Sequence, residues 1–176
     1  LFQSYGLDAQ ERTIDSVLLS TMHNIEIILV DDGSDDNSAL ICDWYASHYV
    51  NIKVFHETNK GVCHARNQGM DMASCEFLAF MDNDDIVHPY VYEKLYGAVH
   101  KYNTDIAIAQ TIMRDDFEKS QLVLRGDGSN KDIVMNSYQE VIAGKGSLNN
   151  IYFVAIWNKI IRTSVARQVR FNEELT

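Results

Sequence analysis

The sequence is poor in cysteine and proline and lacks long hydrophobic runs. Its three cysteines, Cys42, Cys63 and Cys75, are odd in number and show no CxxC spacing, which fits reduced, mostly buried thiols better than disulfides or a zinc site. No apolar run approaches the roughly 20 residues that span a bilayer, and the start of the chain shows no secretory signal pattern. These absences predict a soluble, cytoplasmic protein.

Positive charge is also scarce. The chain has 15 Lys and Arg residues against 25 Asp and Glu residues, which gives a formal net charge of -10. Nucleic acid is therefore not expected as the main partner, because phosphate backbones are bound by basic faces. A phosphate bridged by a metal ion remains compatible with this charge. The length of 176 residues and the 46% apolar content predict one domain with its own core.

Helix and strand patterns alternate through the first two-thirds of the chain, which predicts βαβ units and a parallel sheet. Helices are predicted over residues 13–22, 38–49, 61–73 and 89–102. Strands are predicted over residues 25–30, 51–56, 77–81 and 105–111. Beyond these the pattern changes, with a short strand predicted at 121–125, a helix at 137–143 and an apolar segment at 153–161. Trp44 shares one face of its predicted helix with Ile41, Tyr45 and His48, and Val62 recurs at helical spacing with Ala65, Gly69, Met70 and Ala73.

Two clusters of aspartate each follow a short apolar run. Residues 25–30 lead into Asp31 and Asp32, and residues 77–81 lead into Asp82, Asn83 and Asp84. Open α/β sheets bind ligands just beyond the carboxyl ends of their strands. Both acidic strand ends are therefore expected to face one crevice.

The second cluster has the pattern of a metal and diphosphate site. Alternate side chains of an extended segment share a face, so Asp82 and Asp84 project the same way. Mg²⁺ and Mn²⁺ prefer oxygen ligands and often take only one or two carboxylates, the other positions being filled by water and phosphate. A calcium loop of the EF-hand type is excluded, since Ile86 and Val87 stand at its fifth and sixth positions.

The first cluster suits a different ligand group. Asp31 and Asp32 stand at the strand end, where a carboxylate can accept hydrogen bonds from ribose hydroxyls or a base N–H. Gly33 permits a tight turn after them. The other acidic and hydroxyl residues of this turn are expected to cap the next helix, namely Asp35, Asp36 and Ser38.

A glycine turn with basic neighbours lies between the clusters. Lys60 and Gly61 precede a predicted helix and Arg66 lies within it, an arrangement that can bind an anion such as a diphosphate. The alternative is a plain glycine turn with a solvated lysine. Four histidines are not at zinc-ligand spacing and are interpreted as surface or packing residues, namely His56, His64, His88 and His100.

These three segments in this order resemble the family 2 glycosyltransferases of the GT-A fold. The resemblance is carried by residues 25–38, 59–73 and 77–89, spans 13–111 closely and continues more weakly through 156–175. It implies an α/β fold of the GT-A type, with a Rossmann-like, mostly parallel sheet flanked by helices and incomplete at both ends. The implied organisation is a disordered, tag-like or partly native leader at 1–12, a nucleotide-sugar-binding half at 13–111 and the start of an acceptor-side half at 112–176.

The resemblance implies an inverting transferase that moves a sugar from a nucleotide-sugar, commonly a UDP-sugar, to a glycan or lipid-linked acceptor. Mg²⁺ or Mn²⁺ would bridge the diphosphate. Asp32 would contact the base or ribose, with Asp31 supporting its turn. The other donor-side residues are Lys60, Arg66, Asp82 and Asn83. The metal ligands are Asp82 and Asp84, with Asp84 the more direct of the two.

The acceptor side and the catalytic base complete the implied site. Trp157, Asn158 and Lys159 match the acceptor-side segment, although Trp157 fits core packing equally well. Family members begin with an apolar strand carrying a Pro-x-Tyr-Asn motif, which does not precede Thr13. Their usual base is an acidic residue of a Glu-Asp pair that is expected beyond Thr176. No catalytic residue is therefore assigned within the chain.

Other interpretations stay open. A non-catalytic module that binds nucleotide-sugar or glycan on the same fold fits the missing base, and a receiver-like phosphotransfer domain fits the strand-end aspartates but not residues 59–73. A basic stretch offers peripheral association with the inner face of the cell membrane as an alternative to a solvated helix face. Its residues are Lys159, Arg162, Arg167 and Arg170. The oligomeric state is not predicted.

Overall fold

The computed structural model describes residues 9–109, 111–113, 123–125 and 156–174. The predicted helix at 137–143 lies outside these residues. The helices are α1 (Ala9–Leu18), α2 (Ser38–His48), α3 (Val62–Met72), α4 (Val91–Tyr102) and α5 (Thr163–Ala166). The strands are β1 (Ile27–Asp31), β2 (Ile52–His56), β3 (Phe77–Leu78), β4 (Ile106–Ile108), β5 (Thr111–Met113), β6 (Val123–Arg125) and β7 (Lys159–Arg162).

Strands β1 and β2 form the parallel pair that the sequence predicts. Ile27 lies opposite Ile52 at one end of the pair, and Asp31 lies opposite His56 at the other. Helix α2 connects the two strands and packs on them. Because both strands run the same way, their carboxyl ends open at one edge, where the first aspartate cluster begins.

A second sheet has the order β3, β7, β4. Strand β7 is antiparallel to both neighbours, with Ile161 opposite Leu78 on one side and Ile106 on the other. Strands β5 and β6 form a separate antiparallel pair. The sequence predicted an apolar segment at 153–161 but not an antiparallel strand inserted between β3 and β4, because strand periodicity does not reveal pairing direction.

Three clusters of buried residues hold these elements together. One joins α1, α2 and β2 and consists of Ile14, Tyr45 and Ile52. The second joins α4 to the sheet of β3, β7 and β4 and consists of Leu95, Val99, Ala107 and Ile160. The third joins α3, β3 and α5 and consists of Met70, Leu78 and Ala166. Burial of these side chains supplies the main driving force for the fold.

Helix α1 begins earlier than predicted. It starts at Ala9 and ends at Leu18, so residues 9–12, which were assigned to the leader, are helical. Its buried residues are Thr13, Ile14 and Ser16, two of which are polar. The sequence predicted this helix over 13–22 but did not indicate its start at Ala9 or the partly polar face that it buries.

Two apolar positions of the predicted helices and one of the three thiols are on the surface. Trp44 is 52% exposed and Val62 is 53% exposed, although they share a helical pattern with the buried Tyr45 and Met70 respectively. On α2 the buried side chains are Cys42 and Tyr45, and Trp44 stacks on His48 outside them, with 4.1 Å between ring centroids. Cys42 fits the predicted burial, whereas Cys75 is exposed.

Gly33 occupies a backbone position that other residues adopt with difficulty. Its φ is 73°, and a Cβ built there would lie 2.7 Å from the backbone nitrogen of Asn59. We expect Gly33→Ala to lower the free energy of unfolding by about 2 kcal/mol, through backbone strain and this contact. Urea denaturation of the variant and the parent chain measures the change.

Gly97→Ala is the matched control. Gly97 lies inside α4, and a Cβ there would meet no atom within 4 Å. Alanine is the better helix former, so the free energy of unfolding of this variant is expected to rise by about 0.5–1 kcal/mol. A loss of stability at position 97 equal to that at position 33 would contradict the local explanation.

Candidate functional site

Asp31 ends β1 and holds the turn that follows it. Its side chain is buried, with 8% of the residue exposed. Oδ1 accepts a hydrogen bond from the Ser34 backbone N–H at 3.0 Å, and Oδ2 lies 2.9 Å from His56 Nδ1. Burial raises the pKa of the Asp31 carboxyl, but the hydrogen bonds from Ser34 and His56 outweigh it and the net shift is downward. Asp31 therefore supports the turn, as predicted.

Asp32 joins this turn to the start of α3. Its Oδ1 accepts from the Lys60 backbone N–H and its Oδ2 from the Gly61 backbone N–H, both at 2.8 Å. Gly61 has φ 94° and directly precedes α3. The Asp32 carboxylate thus holds the segment between β2 and α3 against the end of β1. Contact between Asp32 and a nucleoside stays a prediction.

Arg66 lies on the second turn of α3 and reaches the second aspartate cluster. Its Nη2 donates to Asp82 Oδ1 at 3.1 Å. Lys60, the other predicted basic residue, has its Nζ 3.4 Å from His64 Nε2. The structure therefore brings the turn after β1, the start of α3 and the Asp82 segment together at one edge, as the sequence predicts.

Residues 82–85 form an acidic turn, not the extended segment from which Asp82 and Asp84 were expected to project the same way. The Asp85 backbone N–H donates to the Asp82 carbonyl at 3.2 Å, while Asn83 and Asp84 are exposed. Burial raises the pKa of the Asp85 carboxyl, and the negative charges of Asp84 and Asp82 raise it further. The turn thus collects carboxylates that repel one another.

Helix α1 holds this acidic turn through two buried hydroxyls. Thr13 Oγ1 donates to the Asp85 carbonyl at 2.7 Å, and Ser16 Oγ accepts from the Val87 backbone N–H at 3.1 Å. Ser16 Oγ also donates to the Thr13 carbonyl at 2.7 Å. Sequence reasoning missed these residues, although two hydroxyls at i and i+3 on a helix share a face and give a weak signal.

Two histidines interpreted as surface or packing residues belong to the polar network of the site. His56 lies between Asp31 and Asp43, with Nε2 3.0 Å from Asp43 Oδ1. His64 lies between Glu57 and Glu173, at 2.9 and 3.0 Å. Their role depends on partners far away in sequence, so spacing alone did not indicate it.

The predicted acceptor-side residues flank the start of β7. Asn158 and Lys159 are each 7% exposed. Asn158 Nδ2 donates to the Ala109 carbonyl at 3.2 Å, and its buried Oδ1 has no hydrogen-bond partner among the described residues. Burial lowers the pKa of Lys159 to about 8. These contacts fasten β7 to the chain after β4, and an acceptor role for Trp157, Asn158 and Lys159 stays a prediction.

The basic stretch near the end of the chain makes internal contacts. Arg162 pairs with Glu76 and Asp105, and Arg170 pairs with Asp71 at 2.8 Å. Arg167 donates to backbone carbonyls at the end of α3. These contacts reduce the positive charge available to a membrane surface. In the part of the chain that the structure describes, every helix is too short or too polar to cross a bilayer.

The carboxylates present fit Mg²⁺ or Mn²⁺. Within the described residues no group of three or more His, Cys, Asp or Glu side chains is arranged to hold a metal. These two cations, however, often bind one or two carboxylates and complete their shell with water and phosphate oxygens. Asp82 and Asp84 supply that number, and the negative charges that add to burial in raising the pKa of Asp85 are of the kind that a cation offsets. A metal here stays a prediction.

The contact of His56 with two carboxylates predicts a pH-dependent stability. The hydrogen bond with Asp31, followed by that with Asp43, raises the pKa of His56 above its ordinary value of 6.5. The stabilisation of the folded chain by these two contacts is therefore complete below about pH 6.5. It is lost as the pH rises through the raised pKa of His56. We expect His56→Gln to lower the free energy of unfolding more at pH 5.5 than at pH 8.5.

The size of this effect is limited because the imidazole is 42% exposed. The difference between the two pH values is expected to be no more than about 1 kcal/mol in urea denaturation. His23→Gln, at an exposed position near the opposite end of β1, serves as the control and should show no such difference. A larger loss at pH 8.5 than at pH 5.5 for His56→Gln would contradict this assignment.

Known proteins are similar to this chain in sequence. The family model described as Glycosyl transferase family 2 matches residues 8–169. Glycosyltransferase GlyG of Streptococcus pneumoniae serotype 4 is 32% identical over 162 residues, which cover 90% of this chain and 54% of GlyG. This chain thus spans about half the length of that relative.

Solved structures reproduce the fold. The crystal structure of S. aureus TarS 1-349 superposes with a TM-score of 0.74 at 22% identity and covers 96% of this chain and 48% of TarS 1-349. The crystal structure of S. aureus TarS 1-349 in complex with UDP superposes with a TM-score of 0.65 at 23% identity, over 95% of this chain and 48% of that one. The α/β fold of GT-A type is confirmed. Since one family model covers both aspartate clusters, the glycine turn and β7 together, this chain belongs to glycosyl transferase family 2.

Proposed function

We propose that this chain is the donor-binding part of a glycosyltransferase that takes a sugar from a nucleotide-sugar, with a UDP-sugar as donor. The observation that carries the proposal is the meeting of three segments at one sheet edge. They are the turn held by Asp31, the glycine turn closed by Asp32 and the acidic turn reached by Arg66. Family membership and the UDP complex of TarS add support from outside the chain.

Each segment has a distinct part in binding the donor. At the turn of residues 31–34, Asp32 offers the ribose and base the lone pairs of its carboxylate oxygens that the Lys60 and Gly61 N–H groups leave free. The N-terminal end of α3, with Lys60 and Arg66 beside it, faces the diphosphate and attracts it by charge. Asp82 and Asp84 would hold Mg²⁺ or Mn²⁺, and such an ion acts as a Lewis acid that stabilises charge developing on the leaving diphosphate.

The chain's own residues keep this edge in one arrangement before the donor arrives. Asp32 fixes the start of α3 through two backbone N–H groups, while Thr13 fixes the acidic turn through the Asp85 carbonyl. Donor groups then meet a preformed surface, which lowers the entropy lost on binding. We propose that transfer inverts the anomeric carbon of the sugar and that the acceptor is a glycan or a lipid-linked glycan.

A non-catalytic module that binds a nucleotide-sugar on the same fold is the second candidate. It keeps the same donor-binding residues and differs in lacking the group that deprotonates the acceptor hydroxyl, which an inverting displacement requires. Hydrolysis or transfer of the sugar from a UDP-sugar distinguishes the two candidates. Both predict the same donor site.

Calorimetric titration of UDP with and without Mn²⁺ tests the donor site. We expect the parent chain to bind UDP more tightly with Mn²⁺, and Asp84→Asn to lose at least about tenfold in affinity when Mn²⁺ is present. The variant should match the parent when Mn²⁺ is absent. Because Asp84 is exposed, its replacement should change the free energy of unfolding by less than about 0.5 kcal/mol.

Asp35→Asn provides the matched control. It removes the same charge from an exposed position on the turn after β1, outside the proposed metal site. Its UDP affinity in Mn²⁺ should stay within about twofold of the parent, a change of under roughly 0.5 kcal/mol. Equal losses in both variants would indicate a general charge effect, and no loss in either would remove the metal assignment.

A further inference from the structure

The segment after α5 lies along α3 and is called here the C-terminal strap, residues 167–174. Arg167 begins it and closes the end of α3, since Nε donates to the Met70 carbonyl at 3.0 Å and Nη2 to the Ala73 carbonyl at 2.7 Å. The last carbonyls of a helix have no partner within the helix, so this arginine satisfies groups that are otherwise left to water. The strap is thereby anchored at its first residue.

Asn67 fastens the middle of the strap to α3. Asn67 is 5% exposed, and its Nδ2 donates to the Phe171 carbonyl at 3.0 Å and to Glu173 Oε1 at 2.7 Å. Its Oδ1 accepts from the Phe171 backbone N–H at 3.0 Å. A buried amide with all these contacts holds the backbone at Phe171 in one position, because each lost contact leaves a buried polar group unpaired.

Glu173 extends the fastening to the first sheet. Its Oε2 lies 3.0 Å from His64 Nδ1, and His64 Nε2 lies 2.9 Å from Glu57 Oε2. Hydrogen bonds from Asn67 and then from His64 lower the pKa of the Glu173 carboxyl. Glu57 in turn donates its backbone N–H to the Asp31 carbonyl at 2.9 Å. His64 lies within ion-pair distance of both carboxylates and thereby brings the strap close to the end of β1.

Phe171 is the residue of the strap that reaches the donor site. The Arg66 guanidinium carbon lies 5.7 Å from the centroid of the Phe171 ring, and the same arginine donates to Asp82. The ring also meets Phe80 edge to face, with centroids 5.4 Å apart. Phe171 therefore lies between Phe80, which follows β3, and the guanidinium of Arg66, which contacts the acidic turn.

We propose that Asn67 and Phe171 are positioning residues for donor binding, acting through Arg66 on Asp82. Asn67 sets the place of the Phe171 backbone, the Phe171 ring supports the guanidinium by a cation–π contact, and Arg66 orients the Asp82 carboxylate. The inference rests on the proposed function, because it assigns these residues a role in binding the nucleotide-sugar diphosphate. Neither residue touches the donor in this account.

Titration of UDP in the presence of Mn²⁺ is the first test. Phe171→Leu keeps an apolar side chain but removes the ring, and we expect a loss of about threefold to tenfold in UDP affinity. Asn67→Asp should lose at least as much, since it places a second carboxylate against Glu173. Adding Glu173→Gln to Asn67→Asp restores a donor and acceptor pair and should recover part of the affinity.

Gln168→Ala is the matched control within the strap. Gln168 is exposed, and its side-chain amide donates to the Ser164 carbonyl of α5. Its UDP affinity should equal that of the parent chain within about twofold. Urea denaturation identifies the variants that remain folded, so that loss of binding is not mistaken for loss of structure.

A double-mutant cycle on the unfolding equilibrium tests the coupling without any nucleotide. Phe171→Leu and Asp82→Asn should be non-additive by about twofold or more in the unfolding equilibrium constant, because Arg66 contacts both residues. Additivity within error overturns the inference, and so does an unchanged UDP affinity in Phe171→Leu when the parent binds. Failure of the parent chain itself to bind UDP refutes the proposed function instead.

Discussion

The carboxylate of Asp32 is the contact on which the proposed donor site depends. It accepts two backbone hydrogen bonds, from Lys60 and Gly61, and so ties the turn after β1 to the start of α3. Hydrogen bonds to a charged acceptor are stronger than neutral ones, and here they fix two chain segments that are far apart in sequence. Together with the packing of Met70 and the hydrogen bonds of Asn67, this contact sets the direction in which α3 presents Arg66.

The rest of the arrangement follows from that position of α3. Arg66 reaches Asp82 from one side, and α1 holds the same acidic turn from the other through Thr13 and Ser16. The acidic turn is therefore restrained at its backbone and at one carboxylate. Like charges remain close together within it, and they add to burial in raising the pKa of Asp85.

Much of the fold and part of the arrangement of the candidate site could be predicted from local sequence patterns. The apolar run before Asp31 and the alternation of strand and helix indicated a parallel pair whose ends open at one edge, and the structure has that pair. What local patterns missed depends on partners distant in sequence. Strand β7 pairs with β3 and β4 in a direction that periodicity does not encode. Thr13 and Ser16 are buried polar residues whose partners lie beyond Asp84, and Trp44 is exposed although its spacing placed it on one helix face with the buried Tyr45.

A crystal structure of the chain with UDP and Mn²⁺ would test the central claim most directly. The account predicts a nucleoside at the turn of residues 31–34, a diphosphate before the N-terminal end of α3, and an anomalous-scattering peak for Mn²⁺ beside Asp84. A nucleotide bound at any other surface, or a Mn²⁺ peak away from the acidic turn, would contradict it.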